Sequence, residues 1–141
     1  MRLHLDTNIL VFLICDNTSL SRDVLECIFD YSSTLYTSVV CVHELIHLFQ
    51  IGKISARNEN GKTLRPEDII DTLESMSIRR VPVNDKHLQT YSTLPFMRDH
   101  RDPFDRMIIA QAISDKATLV SSDLKFQWYS KYGLHTILNE R

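Results

Sequence analysis

The stretch HRDPFDRMIIAQA, residues 100–112, turns from charged to apolar around a proline. Asp102 suits a helix N-cap, Pro103 suits the first helical position, and Asp105 in the first turn complements the helix dipole. Ile108, Ile109, Ala112 and Ile113 then supply an apolar stripe at helical spacing. Locally the stretch is a helix start. Two aspartates three apart also suit a site, and the acids elsewhere in the chain have to decide between cap and site.

On either side of this stretch, short β-prone runs fall at residues 2–5, 34–38, 79–83, 117–121 and 135–138. Helical patterns fill the gaps at 9–15, 22–31, 39–51, 67–76, 85–94 and 105–116. Strands alternating with helices specify an α/β fold with a mostly parallel sheet, in which ligands gather outside the carboxyl ends of the strands. The polar stretch 55–65, holding Asn58, Asn60 and Gly61, is expected to be a loop between helices. Residues 1–141 are read as one domain, since 141 residues at 43% hydrophobic content suffice for one core.

Composition removes several function classes. A net charge of −2 gives no whole-molecule attraction for nucleic acid, so such binding has to come from a local basic patch or bridging metal ions. Cys15, Cys27 and Cys41 are odd in number and form no Cys-x-x-Cys pair, which argues for a reducing compartment and against zinc knuckles. The apolar run at residues 9–15 is too short for a membrane span or a signal peptide, and the expected location is cytoplasmic with no membrane partner. With glycine only at 52, 61 and 133 there is no phosphate-cradling loop and no dinucleotide fingerprint.

The acids collect at the carboxyl edge of the expected sheet. Asp6 ends the first strand, Glu44 lies in the helix after the second, Asp105 begins the helix leading into the fourth, and Asp123 closes the fourth. Each has an ordinary explanation as a cap or a solvated residue. Together they would repel and raise one another's pKa unless cations neutralised them. Carboxylates without cysteine, and with no obligatory histidine, are hard oxygen donors suited to Mg2+ or Mn2+. The chemistry such a set serves is metal-assisted hydrolysis of a phosphodiester.

The segments LDTNIL (5–10), SVVCVHEL (38–45), HRDPFDRMIIAQAI (100–113) and TLVSSDLKF (118–126) resemble the PIN domain family, in particular its VapC-type toxins. The resemblance spans nearly the whole chain and implies a three-layer α/β/α sandwich with a mostly parallel central sheet. It further implies a magnesium-dependent endoribonuclease, the toxin of a type II toxin–antitoxin pair, with an RNA substrate, a cognate antitoxin and a homodimeric state. Matched residue by residue, the family's acidic quartet falls on Asp6, Glu44, Asp105 and Asp123, as catalytic residues and ligands of Mg2+ (or Mn2+). Asp102 is an auxiliary ligand or a cap. Asn8, Ser121 and Ser122 stand where residues orient those carboxylates. Arg101, Arg106 and Lys125 are candidates for contacts to RNA phosphates. The approach LPFMRDHRDP, residues 94–103, is longer than the family pattern and leaves the local loop shape open.

HELIH, residues 43–47, raises a rival, because His-Glu-x-x-His is also the helical zinc motif of metalloproteases, with Glu44 as base. No His-x-x-Gly-x-x-His follows, and no downstream glutamate is placed as third ligand. On a helical wheel Glu44 lies about 40° beyond the apolar arc, against about 60° for His43 and about 100° for His47, which turns the histidines toward solvent or a dimer partner. A third reading is a PIN-like module that binds nucleic acid or a partner without cutting. Such modules have usually lost acidic residues, and all four are present here.

Overall fold

The computed structural model describes residues 1–97 and 99–140; Arg98 and Arg141 lie outside the described residues. Five parallel strands form the sheet: β1 (Arg2–Leu5), β2 (Thr34–Ser38), β3 (Ile78–Val81), β4 (Thr118–Ser121) and β5 (His135–Leu138), in the order β3-β2-β1-β4-β5. The helices are α1 (Thr7–Cys15), α2 (Arg22–Ile28), α3 (Val39–Gln50), α4 (Ile69–Ser75), α5 (Asp85–Thr93) and α6 (Pro103–Ser114). Chain direction across the sheet reverses once, after β3. Right-handed crossovers therefore put α1 to α4 on one face and α5 and α6 on the other, the α/β/α layering expected from the sequence. Among the described residues no helix is long and apolar enough to cross a membrane.

β1, β2 and β5 have the bounds expected from their residues. β3 begins one residue early and stops at Val81, because Pro82 has no N–H to donate to a ladder. The helical pattern at 67–76 splits into a 3-10 turn with Pro66 at its first position and the shorter α4. Residues 55–65 are irregular as expected, closed by an antiparallel bridge between Arg57 and Thr63 and a left-handed Gly61 at φ 75°.

A 3-10 run over Leu124–Tyr132 was not expected. Phe126, Tyr129 and Tyr132 recur every third residue, the 3-10 period, and the first two are buried. Asp123 caps the start of the run by accepting from the Lys125 N–H, and Gly133 ends it at φ 97°.

The core is apolar on both faces of the sheet. Leu3, Leu5, Leu119 and Val120 line its central strands, and Ile9, Leu10, Cys41, Leu45, Ile108, Ile109 and Ala112 cover them. Each leucine, isoleucine or valine among them stabilises the fold by about 1.5–3 kcal/mol. α6 is buried beyond its expected stripe: Arg106, Ala110 and Gln111 are also inside, because the Leu124–Tyr132 run and α5 cover its outer side.

Candidate active site

The parallel neighbours β1 and β4 send their connections to opposite faces of the sheet, so the loops leaving them diverge and open a crevice at their carboxyl ends. Asp6 leaves β1 into this crevice and Asp123 follows β4 by two residues. α6 runs back against the strand direction, which brings its N-terminal Asp105 to the same edge. α3 starts at that edge and places Glu44 in its second turn. Asp6, Glu44, Asp105 and Asp123 thus line one cleft of about 420 Å³, with Asn8 and Lys53 beside them and Val11, Phe12, Leu48 and Ile54 as its apolar wall.

Asp6 is the most enclosed of the four, at 5% exposure. Oδ1 accepts from the Thr7 N–H at 2.8 Å, and Oδ2 accepts from the Ser121 hydroxyl at 2.6 Å and from Asn8 Nδ2 at 3.3 Å. The same Ser121 oxygen accepts from the Asp123 N–H at 3.0 Å, so one hydroxyl joins the ends of β1 and β4. The Asn8 carbonyl oxygen in turn accepts from the Ser122 N–H at 3.2 Å. Ser122 enters through its backbone; its hydroxyl turns away to accept from Asn139 Nδ2 at 3.1 Å.

Burial pushes the Asp6 carboxyl up to about 7, with the charges of Asp105 and Glu44 adding to the shift and the Ser121 and Thr7 bonds opposing it. Burial also raises Asp105, helped by the charges of Asp102 and Asp123 and opposed by His100. Among the described residues none of Asp6, Glu44 and Asp123 is in an ion pair with a lysine or arginine. Carboxylates lining one cleft without a lysine or arginine ion pair fit a hard divalent ion, which favours the charged forms that burial, and to a lesser degree the neighbouring acids, disfavour.

The cation-free protein should show this penalty. Asp6 ionises near 3.8 when unfolded and near 7 when folded, so the folded state holds a proton that the unfolded chain releases between these values. Its contribution is full below about pH 4 and is lost as pH rises through 7, to the extent of a few kcal/mol. Asp6→Asn should therefore melt higher than wild type at pH 8 without divalent ions, with the difference closing toward pH 4. Superimposable melting curves at both pH values would exclude a buried charge penalty at Asp6.

The other expected residues divide. Asp102 is exposed and caps α6, its Oδ1 accepting from the Phe104 N–H at 2.9 Å. Arg101 and Lys125 are exposed, the first lying 5.9 Å from the centre of the Phe96 ring. Arg106 corrects the sequence reading. It is 2% exposed, donates to the Leu94 and Pro95 carbonyls at 2.7 and 2.8 Å, and lies 4.2 Å from the centre of the Phe96 ring, so it holds a loop and cannot reach a phosphate.

His43 and His47 are exposed on α3 opposite buried Val42, Leu45 and Phe49, and no third ligand gathers with them among the described residues. The zinc-motif alternative therefore lacks its metal site. Two further residues were not expected at the site, Lys53 in the cleft and His100 behind it. Lys53 enters because Gly52 closes α3 in a left-handed turn at φ 71°. His100 packs behind Asp105, its Nε2 at 3.3 Å from Asp105 Oδ2. It heads the HRDPFDR segment, and its place five residues before Asp105 was the available signal.

A family model for the PIN domain matches residues 3–131 of the chain. The chain belongs to the PIN domain family. No curated protein sequence matches it. Among solved structures, this PIN domain is similar to VapBC2 of Rickettsia felis bound to a promoter DNA fragment, with a TM-score of 0.68 at 20% identity over 98% of each chain. It is similar to VapBC-1 of nontypeable Haemophilus influenzae, at TM-score 0.65 and 20% identity over 100% of each chain. DNA-bound VapBC of Salmonella typhimurium follows at 0.62 and 18% over 97% of each. At these identities the likeness is one of fold, and it extends over the whole PIN domain.

Proposed function

We propose that this PIN domain is a metal-dependent endoribonuclease that hydrolyses RNA phosphodiester bonds in the cytoplasm, and that it is the toxin of a type II toxin–antitoxin pair. The observation carrying the reading is the meeting of Asp6, Glu44, Asp105 and Asp123 in one cleft. These four would hold Mg2+ or Mn2+, with Asp102 at the rim. The chemistry such an ion supplies is a lowered pKa for the attacking water and charge relief at the phosphate.

The chain's own groups prepare that site. Ser121, Thr7 and Asn8 fix the Asp6 carboxylate by hydrogen bonds. Lys53 gives the cleft its positive side chain for a phosphate oxygen. Arg101 and Lys125 are free at the surface to meet the RNA backbone. Likeness to the VapBC structures supports a cognate antitoxin protein as partner, and a homodimer belongs to the same reading.

RNA cleavage by the purified chain, with Mg2+ and then with chelator, tests the activity. The double variant His43→Ala/His47→Ala is expected to cleave RNA within about twofold of wild type, since both side chains stand in solvent. Loss of bound zinc and of a peptidase activity in that variant, with RNA left uncut by wild type, would transfer the helix to the metalloprotease reading.

A further inference from the structure

His100 is 3% exposed, with its ring set edge-on against Phe126 and Tyr129 at centroid distances of 5.6 and 5.4 Å. Its Nδ1 lies 2.7 Å from the Tyr129 hydroxyl and its Nε2 faces Asp105. A ring nitrogen of His100 and one carboxylate oxygen from each of Asp105 and Asp123 all lie within 4.8 Å of one another, and among the described residues no other group of three histidine, cysteine or acidic side chains is so placed. With bonds of about 2.1 Å, ligand atoms around one ion stand about 3 Å apart when adjacent and about 4.2 Å when opposite. His100 Nε2 and Asp105 Oδ2 already stand near the adjacent spacing, at 3.3 Å, and the 4.8 Å bound keeps Asp123 close to the same shell.

Tyr129 lets the ring serve in either of two tautomers. Its oxygen also lies 3.5 Å from the His100 carbonyl. With the proton on Nε2, the ring donates to Asp105 and accepts the Tyr129 hydroxyl at Nδ1. With the proton on Nδ1, the ring donates to the Tyr129 oxygen, the hydroxyl turns to the His100 carbonyl, and the Nε2 lone pair is free to bind a cation. Ligating histidines are oriented in this way, by an oxygen partner on the second ring nitrogen. The buried histidines elsewhere are engaged: His4 Nε2 accepts the Ser38 N–H, and His87 Nε2 meets Asp115 at 2.9 Å.

We propose that His100 is a nitrogen ligand of the divalent cation held by Asp105 and Asp123, with Tyr129 fixing its ring, and that the site therefore favours Mn2+ and other first-row transition ions over Mg2+. Imidazole suits such ions, whereas Mg2+ keeps an all-oxygen shell. The inference rests on reading the cleft as a divalent-cation site.

Pulsed EPR of the His43→Ala/His47→Ala protein loaded with Mn2+ reads the ligand directly and removes the exposed α3 histidines as a source of signal. Expected is a nitrogen coupling from one coordinated imidazole, absent in a further His100→Gln change that puts an amide oxygen in place of the nitrogen. Mn2+ affinity should fall about tenfold or more in that variant, and Mg2+ affinity by less than about threefold. Tyr129→Phe, which keeps the ring packing, should retain the coupling while weakening Mn2+ about tenfold. Mn2+ bound by oxygen alone in the parent protein overturns the role of His100 and leaves the carboxylate site standing. Failure to bind Mn2+ at all overturns both.

Discussion

Asp105→Asn is expected to lower magnesium-dependent RNA cleavage about a thousandfold while the protein folds as before. Loss of one carboxylate charge at a metal site removes several kcal/mol of transition-state stabilisation, and about 4 kcal/mol corresponds to three powers of ten in rate. The fold should survive because Asp105 is not the residue that caps α6. Asp102 accepts the Phe104 N–H, and the Asp105 carboxylate is only part-buried, facing His100 and the cleft. Asparagine keeps the shape and the hydrogen bond from His100, and it removes a charge that burial and Asp102 disfavour. A thermal melt of the cation-free variant should therefore match or exceed wild type. A melt lowered by several degrees with cleavage intact would make Asp105 a structural acid of the helix start and withdraw it from the site.

The largest stability loss is expected at Arg106→Ala, about 3 kcal/mol, or a melting temperature lower by about 10 °C. Two charge-assisted bonds to the Leu94 and Pro95 carbonyls disappear, and with them the stacking on Phe96 and Tyr91. The loop from Leu94 to His100 loses its tie to α6, so Mn2+ affinity should fall in the same variant. An unchanged melt, together with a smaller salt dependence of RNA binding, would return Arg106 to the phosphate-contacting role that its arginine identity suggests.

Residues 100–112 show how far local reading extends. Asp102 as cap, Pro103 at the first position and the stripe Ile108, Ile109, Ala112 follow from short-range physics, and α6 begins and packs accordingly. Arg106 lies between those positions and has no local mark of burial. Its partners Leu94, Pro95, Phe96 and Tyr91 come from the preceding loop and helix, and only their packing against α6 turns a surface-type side chain inward. The 3-10 run after β4 was legible in the three-residue spacing of Phe126, Tyr129 and Tyr132, a period that a search for 3.6 passes over.

Alternation of strands and helices, hence a parallel sheet with its acids at the carboxyl edge, follows from local residue patterns, because periodicity and capping act over a few residues. The encounters that build the site are long-range. Asp6 and Ser121 are 115 residues apart and meet at 2.6 Å only because β1 and β4 are neighbours in register, Leu5 opposite Val120. His100 reaches Asp105 with its ring braced by Tyr129, 29 residues further on, and Lys53 enters the same cleft from the turn that ends α3. Strand order and the return of the chain after β3 set these encounters, and both are fixed by burial of the whole core, which no single segment encodes.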